Sequence, residues 1–311
     1  MTSGMNMFNL VERAAARLRT KMPPHGGETW PSPASPSSYA AYERERTEPR
    51  NGLAARDDAS RALGAKSPNT TSPKLLFDHQ RLKQAGILRS HVERNRAMEE
   101  LRIIKRQLIN SAFPEGQNSA ERANVIMVTS SRPQEGKTFF SLSLAMSITN
   151  DPNHHVLLVD VDSPQRGVSR FIAASDGVGV LDVMADPAID LSAAISRTDI
   201  PNLSVMLAGA GRQHGPELLA SRRTRLLIEE MANRYEDRII LIDAPPCLVS
   251  SDPAMLASIV DQIVFVVEAD RTQREEVEAS LRFLHACPRI SLVLNKTRIA
   301  MSDSFGPYAY R

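Results

Sequence analysis

The pattern of hydrophobic and polar positions predicts an α/β domain that begins near residue 89. Six short apolar runs, rich in β-branched residues, predict strands that are buried on both faces. Amphipathic patterns between these runs predict helices. The strands are expected at residues 125–128, 156–159, 203–207, 239–242, 263–267 and 291–294, and the helices at 137–149, 216–235, 252–260 and 272–286. This alternation predicts a mainly parallel sheet sandwiched by helices, with ligands at the carboxyl ends of the strands.

Two helical patterns precede the first strand. Residues 90–112 carry an apolar stripe on an otherwise charged helix, which marks the start of the folded domain. Residues 1–20 predict a short amphipathic helix, which needs a partner because isolated helices of this length are marginal in water. The stripe of the longer helix consists of Val92, Met98, Leu101, Ile104, Leu108 and Ile109.

Residues 21–88 are expected to form a Pro/Ser-rich disordered linker. Eight of the 20 prolines lie between Pro23 and Pro73, among Ser, Thr, Gly and Ala. Such a composition buries too little apolar surface to offset an ordering entropy of about 1–2 kcal/mol per residue. The folded domain is therefore expected at 89–300, followed by a flexible tail at 301–311.

Charge and cysteine content narrow the possible functions. The net charge of +2 divides into +6 for residues 1–90 and −4 for residues 91–311, and an acidic body argues against a nucleic-acid partner. The basic front part is either a plain linker or a segment that faces an anionic lipid surface. Two cysteines, Cys247 and Cys287, are too few for a disulfide framework or a zinc site. With no apolar run of about 18 residues and no signal-peptide pattern, a cytoplasmic protein is expected.

A phosphate-binding loop is predicted between the first strand and the helix at 137–149. Residues 131–138 read SRPQEGKT, which fits the P-loop pattern except for Ser131 in place of the first glycine. In such a loop backbone N–H groups face the phosphates, Lys137 bridges the β- and γ-phosphates, and the Thr138 hydroxyl binds Mg²⁺. Gln134 is strained there if its φ is positive. The predicted nucleotide contacts are Ser131, Gln134, Glu135, Gly136, Lys137, Thr138 and Asn295.

Acidic residues follow two of the predicted strands. Asp160 and Asp162 come at the end of one strand, on a common face because the strand period is two, and Asp243 ends another. Phosphoryl transfer needs a Mg²⁺ site, a lysine that neutralises the phosphates, and a base. We therefore expect Thr138, Asp162 and Asp243 at the metal, and Lys137, Asp160 and Asp162 as catalytic groups. The sequence leaves open which of the two aspartates is the base.

Two features near the carboxyl end indicate the nucleotide and the phosphate acceptor. Asn295 opens the sequence NKTR, in which Arg298 stands where guanine-reading loops carry an acceptor aspartate, so that ATP is favoured over GTP. Tyr308 and Tyr310 lie in the polar tail, and residues 300–311 can extend over about 35 Å at roughly 3.3 Å per residue. These tyrosines are therefore candidate phosphoacceptors in the site of a neighbouring subunit.

Together these motifs resemble the bacterial P-loop protein-tyrosine kinases, most closely the soluble exosortase-associated tyrosine autokinases of exopolysaccharide clusters. Lys137 and Thr138 match the first Walker motif of this family, Asp160 and Asp162 its second acidic motif, and Asp243 Walker B. The matching stretches are residues 10–14, 99–106, 128–138, 156–162, 179–184, 216–221 and 241–246.

The resemblance implies a P-loop NTPase fold of the deviant Walker type, similar to MinD and ParA. It implies ATP- and Mg²⁺-dependent autophosphorylation of the tail tyrosines in trans within a homo-oligomeric ring, regulating exopolysaccharide biosynthesis. The implied partners are an inner-membrane, Wzz-like chain-length determinant that activates the kinase, and a cognate tyrosine phosphatase. The implied location is peripheral, at the inner face of the cytoplasmic membrane.

The chain departs from the family pattern at several positions. Lys105 stands where the third residue of a Glu-x-x-Arg-x-x-Arg subunit contact is expected, and lysine lacks the guanidinium fork. Residues 165–167 read QRG where an Arg-Pro pair is common, and the tyrosine cluster is short. Two alternatives follow. The chain is a ParA/MinD-type ATPase switch, with Arg132 at the signature-lysine position, or a catalytically weak nucleotide-binding scaffold of a polysaccharide export complex.

Overall fold

The structure is a computed structural model that describes residues 74–88, 96–114, 123–162, 167–172, 177–209, 218, 219, 221–234 and 237–297. The predicted helix at 1–20, most of the predicted linker, and the tail with Tyr308 and Tyr310 lie outside the described residues. All described residues belong to a single compact unit, Ser72–Arg311.

The described residues contain one seven-stranded sheet. In chain order the strands are β1 (Val125–Ser130), β2 (His155–Asp160), β3 (Ser196–Arg197), β4 (Leu203–Met206), β5 (Arg238–Asp243), β6 (Gln262–Glu268) and β7 (Ile290–Asn295). Their spatial order is β3-β4-β2-β5-β1-β6-β7. Every pairing is parallel except that of β3 with β4. The predicted mainly parallel sheet is thus confirmed, with all six predicted strands present.

Helices cover both faces of the sheet. They are α1 (His79–Gln84), α2 (Arg96–Ala112), α3 (Lys137–Thr149), α4 (Val180–Ala185), α5 (Leu191–Ala194), α6 (Arg222–Arg234), α7 (Asp252–Ala257) and α8 (Arg274–Leu284), with a 3₁₀ helix at Val168–Phe171. Because side chains alternate across each strand, Met127 of β1 enters one core and its neighbour Ile126 the other. The first core packs against α4 to α8, and the second against α1 to α3. The predicted sandwich of helices around the sheet is therefore present.

The stripe predicted for the helix at 90–112 is the buried face of α2. Leu101 and Leu108 are buried, and Ile104 and Ile109 pack against the same core. Lys105 donates a hydrogen bond to the carbonyl oxygen of Ser147 in α3, at 3.2 Å. Lys105 is thus tied to its own domain, which agrees with its departure from the arginine of the subunit-contact pattern. None of the described helices is long and apolar enough to cross a membrane.

Both cysteines are core residues, as predicted. Cys247 and Cys287 are buried within the first core, where α7 and α8 pack on the sheet. Burial raises the pKa of the Cys247 thiol to about 11, so this side chain is a neutral thiol at physiological pH.

Residues 74–88, which we call the strap, correct the predicted linker boundary at 88. Leu75 pairs with Thr198 and Phe77 with Ile172, and the N–H of Asp78 donates to the carbonyl oxygen of Phe171 at 2.7 Å. Phe77, Leu82 and Ile87 of the strap are buried in the second core. The Pro/Ser-rich composition that predicted disorder therefore ends before residue 74, because these three apolar side chains bury surface against the domain.

A test of the strap compares two leucines that lie six residues apart. Leu82 is fully buried, whereas Leu76 is 56% exposed. We expect Leu82→Ala to lower the free energy of unfolding by about 2–4 kcal/mol because it leaves a cavity, whereas Leu76→Ala changes it by less than about 0.5 kcal/mol. Urea unfolding of the full chain measures both. Equal stability of the two variants would place residues 74–88 outside the folded unit.

Candidate active site

The P-loop joins β1 to α3 at the carboxyl ends of the parallel strands. Gly136 precedes the helix in a left-handed conformation, with φ of 99°, and a Cβ there would overlap the side-chain amide of Asn295. Gln134 has φ of 71°, so that the strain expected of a non-glycine residue at this position is present. The loop therefore combines one position that only glycine fits with one that a larger residue occupies under strain.

Polar side chains at the end of β7, just after it and on α8 form hydrogen bonds with this loop. The Asn295 amide donates to the Glu135 carbonyl oxygen at 2.9 Å, and Lys296 Nζ to that of Gln134 at 2.7 Å. The Ser280 hydroxyl of α8 donates to the Ser131 hydroxyl at 3.1 Å. Asn295, which we predicted at the nucleotide, thus supports the loop.

The side chains of Ser131 and Glu135 face the protein interior. Both are buried, and the Glu135 carboxylate accepts hydrogen bonds from the Arg132 N–H and the Thr272 hydroxyl. Any contact of these two residues with a phosphate is therefore made through the backbone. The Arg132 guanidinium forms an ion pair with Glu276 of α8.

The first turn of α3 meets Asp162, which follows β2, and Asp243, which ends β5. Lys137 Nζ forms an ion pair with Asp162, in which both side chains are almost fully buried. The Thr138 hydroxyl donates to Asp243 Oδ2 at 2.7 Å, and the Ser141 hydroxyl to Asp243 Oδ1 at 3.0 Å. The pairing of β1 with β5 brings these groups together. Sequence reasoning missed Ser141, although it lies one helical turn beyond Thr138 on the same face.

Asp160 and Asp162 occupy different environments, although their residues are two apart. Asp160 is the last residue of β2, and its carboxylate accepts N–H bonds from Asp162 at 3.1 Å and Ser169 at 3.3 Å. A Cβ at Gly167 would overlap this carboxylate, so only glycine fits beside it. Asp162, by contrast, lines the open cleft. Asp160 therefore holds the backbone around the site, and Asp162 is the acid that lines the cleft.

Three carboxyl groups surround one lysine in this cluster. Burial raises the pKa of Asp160 well above its ordinary value, and the charges of Asp243 and Asp162 raise it further. Burial also raises the pKa of Asp243, despite the nearby charge of Lys137. For Lys137, burial lowers the pKa, but the carboxylates, Asp243 foremost, outweigh burial and raise it overall. The lysine is therefore charged, and the cluster has an excess of acidic groups.

The donor set fits a magnesium ion. Thr138, Asp162 and Asp243 offer oxygen ligands, and Mg²⁺ binds through one or two carboxylates together with phosphates and water. No group of three or more His, Cys, Asp and Glu side chains within the described ranges forms a complete metal cage. The residues thus suit a metal that arrives with a phosphorylated ligand.

A cleft of about 970 Å³ opens in front of these groups. The cleft is lined by the P-loop and the start of α3, by the loop after β5, by the 3₁₀ helix and by Ala85 of the strap. Its lining residues include Gln134, Lys137, Thr138, Asp162, Pro245, Pro246, Val249, Ala85, Arg170 and Phe171. The cleft is large enough for a nucleotide, since small-molecule sites commonly measure about 300–1,000 Å³.

Comparisons with known proteins point to one family of enzymes. The tyrosine-protein kinase CpsD of Streptococcus pneumoniae is 28% identical over 218 residues, which cover 69% of this chain and 94% of that protein. The kinase domain of the Escherichia coli tyrosine kinase ETK superposes with a TM-score of 0.58 at 25% identity, covering 70% of this chain and 82% of that domain. The chain is a homologue of the bacterial tyrosine-protein kinases. No protein-family model matches it.

Longer kinases of this group match over part of their length. The tyrosine-protein kinase wzc of Salmonella typhimurium is 28% identical over 240 residues, which cover 77% of this chain but 32% of that protein. The chain likewise spans 24% of the tyrosine-protein kinase ptk of Acinetobacter johnsonii. These similarities confirm the predicted relationship, the P-loop α/β fold and the class of enzyme. The exosortase-associated subtype stays a prediction.

The raised pKa of Asp160 gives a test by pH. Because the native state holds this proton more tightly than the unfolded chain does, Asp160 makes the protein less stable as the pH rises above about 3.8. Asp160→Asn removes this effect. We expect the unfolding free energy of the variant, relative to that of the wild type, to increase as the pH rises from about 3.8.

Urea titrations in EDTA, without nucleotide, measure this difference. Asp270→Asn, at an exposed position, is the matched control for an Asp-to-Asn substitution outside the cluster. Asparagine has one oxygen fewer to accept an N–H group, and this loss changes the unfolding free energy of Asp160→Asn by an amount that does not depend on pH. If the difference in unfolding free energy between Asp160→Asn and the wild type does not change with pH, the pKa of Asp160 is not raised in the native state.

Proposed function

We propose that the chain is an ATP- and Mg²⁺-dependent protein-tyrosine autokinase that phosphorylates Tyr308 and Tyr310 of a neighbouring copy. The observation that carries this proposal is the convergence of Lys137, Thr138, Asp162 and Asp243 in front of the P-loop. These are the lysine, the hydroxyl and the acidic groups that phosphoryl transfer from a nucleotide requires.

Each group has a task in this reaction. The backbone N–H groups of the P-loop and of the first turn of α3 hold the phosphates, and Lys137 neutralises charge on the γ-phosphoryl group. Thr138, Asp162 and Asp243 would hold Mg²⁺, which supplies further positive charge at the phosphates. Ser141 keeps Asp243 oriented through its 3.0 Å hydrogen bond.

Asp162 is the candidate base. As the tyrosine oxygen bonds to the γ-phosphorus, the bond from that phosphorus to the β–γ bridging oxygen breaks and ADP leaves. The phenolic proton passes to a carboxylate. Asp162 lines the cleft, whereas both oxygens of Asp160 accept backbone N–H groups. The geometry thus favours Asp162 where the sequence left both residues open.

The wider biology follows from the family resemblance. We propose that the chain works at the inner face of the cytoplasmic membrane, as a ring with a Wzz-like chain-length determinant as its activator. A cognate tyrosine phosphatase reverses the modification, and the cycle regulates exopolysaccharide production of the exosortase-associated type. No nucleic acid takes part.

Arg132 provides an argument against the ATPase-switch alternative. This residue occupies the position of the signature lysine, but its guanidinium is paired with Glu276 of the same chain. Engagement of a second subunit's nucleotide would require that ion pair to break. The scaffold alternative rests on the strain at Gln134 and on the short tyrosine cluster, neither of which removes a catalytic group.

We expect Lys137→Met to abolish phosphotyrosine formation, by at least about 100-fold, because the γ-phosphoryl charge loses its cation in a water-poor site. Lys83→Met is the matched control, since Lys83 lies exposed on α1 and outside the cleft, and it is expected to retain activity. The measurement is mass spectrometry of the full chain after incubation with Mg·ATP. Unchanged labelling in Lys137→Met would reject this site.

The same experiment separates the alternatives. Phosphate on Tyr308 or Tyr310 that disappears in Tyr308→Phe/Tyr310→Phe supports the kinase. ATP hydrolysis without phosphotyrosine indicates the switch, and ATP binding with neither product indicates the scaffold.

A further inference from the structure

The cleft continues into a side cavity of about 450 Å³ between the strap and the 3₁₀ helix. Arg81, Gln84 and Ala85 of the strap line it on one side, and Arg170 and Phe171 on the other. Ala85, Arg170 and Phe171 also line the main cleft, so that the two spaces are continuous. None of the residues described here as lining the side cavity is acidic.

Arg170 is the residue that the proposed mechanism leaves unused. Its side chain is exposed and lies over the Phe171 ring, with the guanidinium carbon 5.6 Å from the ring centroid. Its carbonyl oxygen accepts a 2.9 Å hydrogen bond from Arg81 Nη1, which fixes the backbone. Among the ion pairs between described residues, Arg81 is matched by Asp78, but no carboxylate pairs with Arg170. Within the described part of the chain, therefore, Arg170 is a cation at the cleft without a carboxylate partner.

The order of the strands places Arg170 on the side of the cleft where the acceptor tyrosine would enter. The P-loop follows β1, and the acids that face the γ-phosphate follow β5 and β2, which lie on one side of β1 in the sheet. Asn295 and Lys296 follow β7, on the other side. In the proposed reaction the γ-phosphate lies at these acids, on the side of β2, and the 3₁₀ helix that carries Arg170 comes after β2 in the chain. A segment that approaches the γ-phosphate from this side passes Arg170.

We infer that Arg170 is a specificity-determining residue that binds an acidic side chain of the tyrosine-bearing segment, namely Asp303 in the tail of a second copy. This inference rests on the proposed kinase function. Asp303 is the only acidic residue in residues 298–311 and lies five positions before Tyr308. Five extended residues span at most about 18 Å, which allows Asp303 to lie in the side cavity while Tyr308 lies near Asp162. The ion pair would set the register of the tail in the cleft.

The test is phosphorylation in trans between full-length chains. The wild-type chain is the enzyme, and a tagged Lys137→Met chain, which cannot label itself, is the substrate. In the enzyme, Arg170→Ala is expected to raise the KM for the substrate chain roughly fivefold, as for loss of one solvent-exposed ion pair, while the KM for ATP stays unchanged. In the substrate, Asp303→Asn is expected to have the same effect. Arg289→Ala, an exposed arginine next to the amino end of β7, is the matched control and leaves both KM values unchanged.

Reversal of both charges, at Arg170 in the enzyme and at Asp303 in the substrate, tests the contact most directly. An Arg170→Glu enzyme is expected to phosphorylate an Asp303→Lys substrate better than it phosphorylates the unchanged tail. Thermal unfolding of each variant shows that the domain is intact, and Arg170→Gln provides a substitution that keeps the side-chain length.

Four outcomes would overturn the inference. An Asp303→Asn substrate with an unchanged KM removes the partner, and a raised KM for ATP in Arg170→Ala assigns the arginine to the nucleotide. Failure of the reversed pair removes the direct contact, although tail phosphorylation by the wild type continues and the proposed function stands. Absence of labelling by the wild-type enzyme rejects the proposed function, and this inference with it.

Discussion

The buried contact between Lys137 and the carboxylates around it is the constraint on which the rest of the site depends. Three acidic groups and one cation share a water-poor space, and burial there raises the pKa of Asp160 and of Asp243. Such a cluster is costly in an isolated domain. It becomes favourable when a metal ion arrives with a phosphorylated ligand, because the added positive charge meets acids that are already in place. The folded domain thus contains an unfavourable electrostatic interaction that ligand binding relieves.

Two layers of support keep the cluster in position. Asp160 binds the N–H groups of Asp162 and Ser169 and so joins β2 to the 3₁₀ helix. The strap in turn binds the 3₁₀ helix through Asp78 and Arg81. On the opposite side, the supports of the P-loop come from β7 and α8. The acidic groups and the loop are therefore held by separate parts of the chain that meet only in the folded sheet.

Local patterns in the sequence predicted the parts of this architecture that depend on neighbouring residues. A parallel strand buried on both faces is a continuous apolar run, and a P-loop is one stretch of eight residues, so both are visible without the fold. β3 has only two residues, Ser196 and Arg197, and no apolar pattern to reveal it. Ser141 and Asn295 act on partners 102 and 160 residues away, which no local pattern contains.

The sequence did not reveal the strap for a related reason. Composition is an average over a window, and the prolines up to Pro73 dominated that average although the apolar residues that follow bind the domain. This has a practical consequence for the production of a recombinant kinase fragment. A fragment that starts at residue 89 would leave the pockets for Phe77, Leu82 and Ile87 open to water and remove one side of the side cavity. A start shortly before residue 74 retains both.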